Sequence, residues 1–407
     1  MRACYLISRI CILSAMVLAS PMALSQAGLP GLPGLKAAVD AAWQRSPQGR
    51  TLEARRGETI AGREAAQSWI AGSPSVGLSQ RSDRWTDRNG VRETDISLSA
   101  PVWLPGQKSA RQALAQTSSD DLEAQIASAR LAIAGEVRER LWAVAAAREA
   151  LTEVQDHLHH LEGLAEEVSS RVKAGDLART DELLSRQEVL AAQGSVTAAQ
   201  AKLQEAQARY TTLTGQPEIP KPELEPIVTQ NGPHPRLLAA RSSLDRAQAA
   251  HKVVTATRSD PPTVGVSMRR EQDSLASGNS RSVGIAVQIP LGTNARNRPL
   301  ETAALTQIQS AAAEAAQAEA VLQGDVELAR KQLATAEQAL GTATTRAALM
   351  HEHTQLIEKA FRLGERGLVE LLRSEALSHE ADVAVHQQQI AMGLARARLN
   401  QAFGVIP

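Results

Sequence analysis

Two apolar spacings alternate along the chain. From residue 106 to 173, Leu122, Ile126, Ile133, Val137, Leu141 and Val144 recur at threes, fours and sevens, which marks one face of a helix. Helical patterning also covers 34–71, 180–214, 235–257, 299–362 and 369–403. Four short segments have a period of two instead. In the first, Val76 and Leu78 alternate with Gly77 and Ser79. In the second, Ile96, Leu98, Ala100 and Val102 alternate with Ser97, Ser99 and Pro101. The third sets Val264, Val266 and Met268 against Gly265, Ser267 and Arg269. The fourth sets Val283, Ile285, Val287 and Ile289 against Gly284, Ala286, Gln288 and Pro290. Each reads as a strand with one apolar face and one small, polar face. Polar loops at 81–92 and 270–281 join the strands in pairs.

The lengths constrain the packing. At ~1.5 Å rise per residue, the helix over 106–173 spans roughly 100 Å. The shorter stretches 34–71 and 180–214 together match that length, so they can stack end to end beside it. A helix this long needs lateral partners throughout, as in a coiled coil or a helical cylinder.

The order of elements occurs twice, with a period of 189 residues. Gly175, Asp181 and Leu183 answer Gly364, Glu370 and Leu372, and Arg209 to Gly215 answers Arg398 to Gly404. Pro101 answers Pro290. With one residue of slippage, Pro74 to Ser79 answers Pro262 to Ser267, and Ser46-Pro47 answers His234-Pro235. Helix-on-helix likeness between alanine-rich stretches does not keep strands, prolines and glycines in register, so the chain reads as a duplication. The domains are then a first repeat over 26–216, a proline-rich linker over 217–233 and a second repeat over 234–407.

Composition sharpens this picture. Lys+Arg and Asp+Glu are 44 each, which argues against a nucleic-acid partner. Aromatic residues make up only 2%, few for a packed enzyme of this size. Both cysteines, Cys4 and Cys11, fall in a start with Arg2 and Arg9 followed by an apolar run from Ile10 to Ala19. That start reads as a signal peptide over 1–25, the alternative being a single membrane anchor. Without it the chain has no cysteine, hence no disulfide and no thiolate chemistry. No other stretch is long and apolar enough for a membrane helix. Phosphate loops, dinucleotide fingerprints and metalloprotease motifs are missing, so neither an enzyme nor a cofactor is expected.

The strands allow two readings. One is a small soluble sheet against a helix, in a periplasmic coiled-coil scaffold. The other is part of an outer-membrane barrel, apolar to lipid and polar to a lumen. Four strands cannot close a barrel, and an open edge is not viable in lipid. A membrane reading therefore forces oligomerisation, with eight strands from two chains or twelve from three. Trp69, Trp85 and Trp103 are the aromatic residues available for interfacial girdles.

The duplicated order of helix, strand, strand, long helix, glycine turn and helix resembles the outer-membrane efflux protein family, the TolC-like channels of tripartite exporters. Its most specific local motif is Gly175…Asp181-Glu-Leu-Leu184 with Gly364…Glu370-Leu-Leu372. The resemblance implies a mostly α fold with a β-barrel part. It implies a homotrimer with a twelve-stranded barrel in outer-membrane lipid above a long periplasmic helical tunnel. It further implies a passive duct for cargo driven by an inner-membrane pump of RND type through a periplasmic adaptor. A protein-secretion outlet would look alike. The hairpin tips, Gly175-Asp176 and Gly364-Glu365, are the implied adaptor contacts. Asp181 and Arg366 occupy positions of an aperture latch, and Glu370 occupies an acidic ring position. Phe361 stands where a Tyr occurs in the best-known member, and Arg373 where a second acid would be.

Histidines bear on cargo. His157, His159 and His160, and His351 and His353, precede the two tip glycines by 11 to 18 residues. His157 and His160 share a helix face and are a candidate metal pair, the alternative being solvated tunnel wall. Within the family, the brevity of this chain and its few aromatics are closest to the exporters of divalent metal cations.

Overall fold

A computed structural model describes residues 33–87, 89–228, 232–273 and 278–407. The expected signal peptide lies outside them. The first repeat contains α1 (Pro33–Arg45), α2 (Pro47–Gln67), β1 (Ser75–Ser82), β2 (Arg92–Pro101), α3 (Gln107–Ala174) and α4 (Arg179–Thr214). The second contains α5 (Pro235–Ala256), β3 (Thr263–Gln272), β4 (Ser280–Gln288), α6 (Asn294–Arg362) and α7 (Leu368–Ala402).

Two boundaries differ from the periodicity. The stretch 34–71 is two helices, because Pro47 forces Ser46 into an extended conformation (ψ 126°) and Ser46 Oγ then caps the next helix by accepting from the Gly49 N–H. His234 does the same before Pro235, its Nδ1 accepting from the Arg236 N–H. The sixth long helix starts at Asn294 rather than 299. Pro299 lies near enough to the N-terminus to be carried inside it, and Thr293 caps the end.

The helices form a curtain. α3 packs along α4 and α2 on one side and along α5 and α7 on the other, while among the described elements α6 packs chiefly along α5 and α7. α2 and α4 lie end to end beside α3, as do α5 and α7, which is the stacking expected from the lengths. The open faces of the border helices carry exposed leucines, Leu183 and Leu190 on α4 and Leu328, Leu349 and Leu356 on α6.

The strands form one antiparallel meander, β1-β2-β3-β4. Its centre joins the two repeats, with Ile96 opposite Met268 and Leu98 opposite Val266. This register places Val76, Leu78, Ile96, Leu98, Val266, Met268, Val283 and Ile285 on one continuous face. Val76 is 75% exposed and Ile285 is 78% exposed. None of the described helices packs along either face of the sheet. β1 and β4 each leave one edge unpaired among the described residues. Trp69 and Trp85 are exposed at opposite ends of the first hairpin, whereas the Trp103 indole is tied to the Ser68 carbonyl at 3.0 Å.

Candidate functional site

The two repeats meet at the β2–β3 pairing, along α3 and α5, and along the antiparallel seam between α3 and α7, where several ionisable side chains face one another. At its upper end Arg138 and Glu225, both 2% exposed, form a bidentate pair at 2.8 and 2.9 Å. Asn400 donates to Glu225 at 3.0 Å and accepts from the Val228 N–H. Arg138 also donates to Gln401 Oε1 at 2.7 Å and to the Val405 carbonyl. The proline-rich linker is thus fastened to both repeats by a buried polar network. Nothing in the local sequence marks Glu225, one of several acids between prolines, as the buried one.

Below this the seam is tight. Gly393 faces Trp142 so closely that an added Cβ would lie 2.0 Å from the indole ring. Lower still come ionisable side chains. Glu149, Glu153, His157 and His160 form one stripe on α3, facing Glu375, His379 and His386 on α7. His386 Nδ1 approaches Glu149 Oε1 at 3.2 Å and is closer still to Glu153 Oε1. The His157 and His379 rings stack at 4.1 Å with an interplanar angle of 8°. Burial holds the His157 pKa down to about 4, reinforced by His379 and His160. His160 Nε2 meets Glu375 Oε1 at 3.1 Å, and that hydrogen bond raises its pKa. The candidate pair His157 and His160 therefore does not converge on one point, since each has its own partner on α7.

At the bottom, both hairpins turn in the same way. Asp176 N–H bonds the Arg171 carbonyl and Gly175 N–H the Val172 carbonyl. Glu365 N–H bonds the Ala360 carbonyl and Gly364 N–H the Phe361 carbonyl. These are two Schellman turns, and their glycines need φ of +88° and +77°. Just above the turns, Leu164, Val168, Phe361, Leu368 and Leu371 make a small shared core.

No family model matches the chain. A curated relative, the cobalt-zinc-cadmium resistance protein CzcC of Cupriavidus metallidurans, is 27% identical over 220 residues, covering 50% of this chain and 51% of that protein. The chain thus matches about half the length of that relative. Solved structures match far more of it. The outer membrane protein VceC of Vibrio cholerae aligns with a TM-score of 0.70 at 17% identity, over 91% of this chain and 96% of that one. CusC aligns with a TM-score of 0.73 at 14% identity, over 91% and 92%. The outer-membrane channel OprN gives 0.72 at 16%, over 92% and 90%. This chain has the fold of the outer-membrane channels. The resemblance read from the repeat is borne out.

Within that channel fold the expected tip residues have definite places. Asp181 accepts from the Ala178 N–H at 3.3 Å, capping its own helix. Arg366, in the turn just before α7, donates to Glu370 in the first turn of that helix at 2.8 Å, and not to Asp181. Phe361, expected at the aperture, is buried in the tip core at 2% exposure, with the Arg171 guanidinium 4.8 Å from its ring centroid. Arg373 is exposed. The seam partners Glu149, Glu153, Glu375, His379 and His386 were absent from the sequence-based candidates. A signal existed, because Glu153 lies 22 residues before Gly175 and His386 lies 22 residues after Gly364. Mirrored distances from two turns at the same level bring side chains to the same height.

Proposed function

We propose that three copies of this chain form a passive export channel through the outer membrane, with the helices as its periplasmic duct. The observation that carries this reading is the uncovered apolar face of the sheet. Strands of 8 to 10 residues have the length of tilted membrane strands, and one face is apolar while the other is small and polar. A soluble sheet would bury that face against a helix, and none of the described helices lies there. The open edges β1 and β4 pair only by adding copies, and three copies give twelve strands, a lumen wide enough to conduct. The curtain has the same logic, with exposed leucines on both border helices, α4 and α6, for neighbouring copies to cover.

The tips, Gly175-Asp176 and Gly364-Glu365, are the docking points for a periplasmic adaptor, which connects the duct to an inner-membrane pump of RND type. Arg366 and Asp181 of adjacent copies form a latch at the aperture, with Glu370 and Arg373 lining it. The cargo is divalent metal cations, a reading supported by the name of the curated relative.

The test is fractionation of envelopes, extraction, and light scattering with detergent subtracted, followed by conductance in planar bilayers. A detergent-requiring particle of three chains that conducts is expected. A buffer-soluble monomer or dimer overturns the proposal. Cargo is then read from the metal sensitivity of a deletion strain, which rises if cations are exported and stays unchanged otherwise.

A further inference from the structure

Halfway along the seam, we infer that Glu149, Glu153 and His386 form a divalent-cation site that clamps the first hairpin to the second. The carboxylates are one helical turn apart on α3, and the imidazole reaches across from α7. One ligand atom from each residue lies within 4.8 Å of the others. Among the described residues, no Lys or Arg pairs with either glutamate. His386 Nδ1 is buried and, despite its nearness to both carboxylates, is in hydrogen-bond geometry with neither. Three electron-pair donors, two carboxylate oxygens and one imidazole nitrogen, thus converge on one point. Like charges one turn apart repel, and a metal ion at their common focus removes that cost.

The surroundings suit an ion. A cavity of about 170 Å³ adjoins the three side chains, walled by Ala146, Ala150, Val383 and Ile390. Two carboxylates and one imidazole suit a borderline cation such as Zn²⁺ or Co²⁺, with water in the remaining position. The cavity has room for that water. The glutamates belong to one hairpin and the histidine to the other, so a bound ion fixes the spacing of α3 and α7 roughly 30 Å above the tip. Such a resident site is distinct from transported cargo, and it stands whether or not the chain conducts.

The experiment uses the full chain in detergent, stripped with chelator and titrated with Co²⁺, reading visible absorption, then with Zn²⁺ in competition. A single bound Co²⁺ per chain is expected. Its affinity falls by roughly tenfold or more in Glu153→Gln and in His386→Ala, and does not change in His157→Ala. Light scattering and circular dichroism check that the variants assemble. A measurement on the wild-type protein needs no variant: Zn²⁺ protects His386 from carbethoxylation, mapped by mass spectrometry, and leaves the exposed His159 reactive. Absence of binding, unchanged affinity in both site variants, equal loss in His157→Ala, or unprotected His386 would each overturn the inference.

Discussion

The two ends of the α3–α7 seam are built differently. At the top, Arg138, Glu225 and Asn400 are buried and mutually satisfied, and Trp142 fills the space that Gly393 leaves. Further down, the contacts are single pairs, His157 on His379 and His160 on Glu375, with partial exposure and shifted pKa values. At the tip, Arg366 and Glu370 are a solvated pair. The polar contacts thus pass from buried and mutually satisfied at the top to solvated at the tip. The top sets the register of the two repeats. The bottom is held by weaker, solvated contacts, as the proposed opening of a duct at its lower end requires.

The largest effect is expected at the top. Arg138→Ala leaves Glu225 buried and uncompensated, a loss of about 3–5 kcal/mol. Replacing both, as Arg138→Met with Glu225→Leu, is expected to restore most of it, because no charge is then stranded. Thermal unfolding in detergent reads both variants. If the double variant were no better than the single one, the network would be needed for more than neutralising its own charges.

One turn and more below, Gly393→Ala places a methyl group where the indole already sits, at a cost of about 1–3 kcal/mol. Shrinking the partner with Trp142→Leu in the same chain is expected to recover part of the loss. The coupling is measured by a double-mutant cycle. Additive effects would mean that the close approach is not what limits packing there.

Much of this arrangement was legible in the sequence, and the limits have physical causes. Period-two alternation located all four strands, because a one-residue slip would reverse every side chain. The 189-residue repeat located both tips, since only glycine adopts the required φ without strain. The break at Ser46-Pro47 was present in the residues, yet the apolar spacing runs across it, and spacing alone reads one helix. Glu225 and the Glu149–Glu153–His386 cluster were missed for a different reason. Periodicity tells which face of a helix is apolar, but not which distant segment lies opposite. The pair 138 with 225 exists only once the linker has folded onto α3, and 153 with 386 only once the repeats have docked.

In the middle of the seam the expected effect depends on pH. His157 is neutral in the folded chain down to about pH 4, whereas an unfolded histidine takes a proton near 6.5. Between those values the unfolded state binds more protons, so stability is full above about 6.5 and declines as pH falls toward about 4. His160 acts in the opposite sense, because its raised pKa contributes stability at low pH that is lost as pH climbs through its folded value. His157→Gln is expected to flatten the decline on the acid side, and His160→Gln to steepen it. Melting temperatures across that range decide, and identical slopes in all three proteins would remove the histidines from the account.

The smallest change in stability is expected at the tip. Arg366 and Glu370 are one turn apart and exposed, so Arg366→Ala costs at most about 0.5 kcal/mol. The same solvation that makes the pair weak makes it exchangeable. In the proposed latch, Arg366 leaves Glu370 for the Asp181 of a neighbouring copy, and Asp181 releases the Ala178 N–H that it caps. A contact that trades one weak partner for another suits the proposed latch, since the proposed adaptor would need to supply only a small free energy to move it. Arg366→Ala and Asp181→Asn are therefore expected to leave melting unchanged and to raise bilayer conductance to a similar degree. The double variant should then exceed neither. Higher conductance from both singles with full additivity in the double would mean that the two residues gate separately.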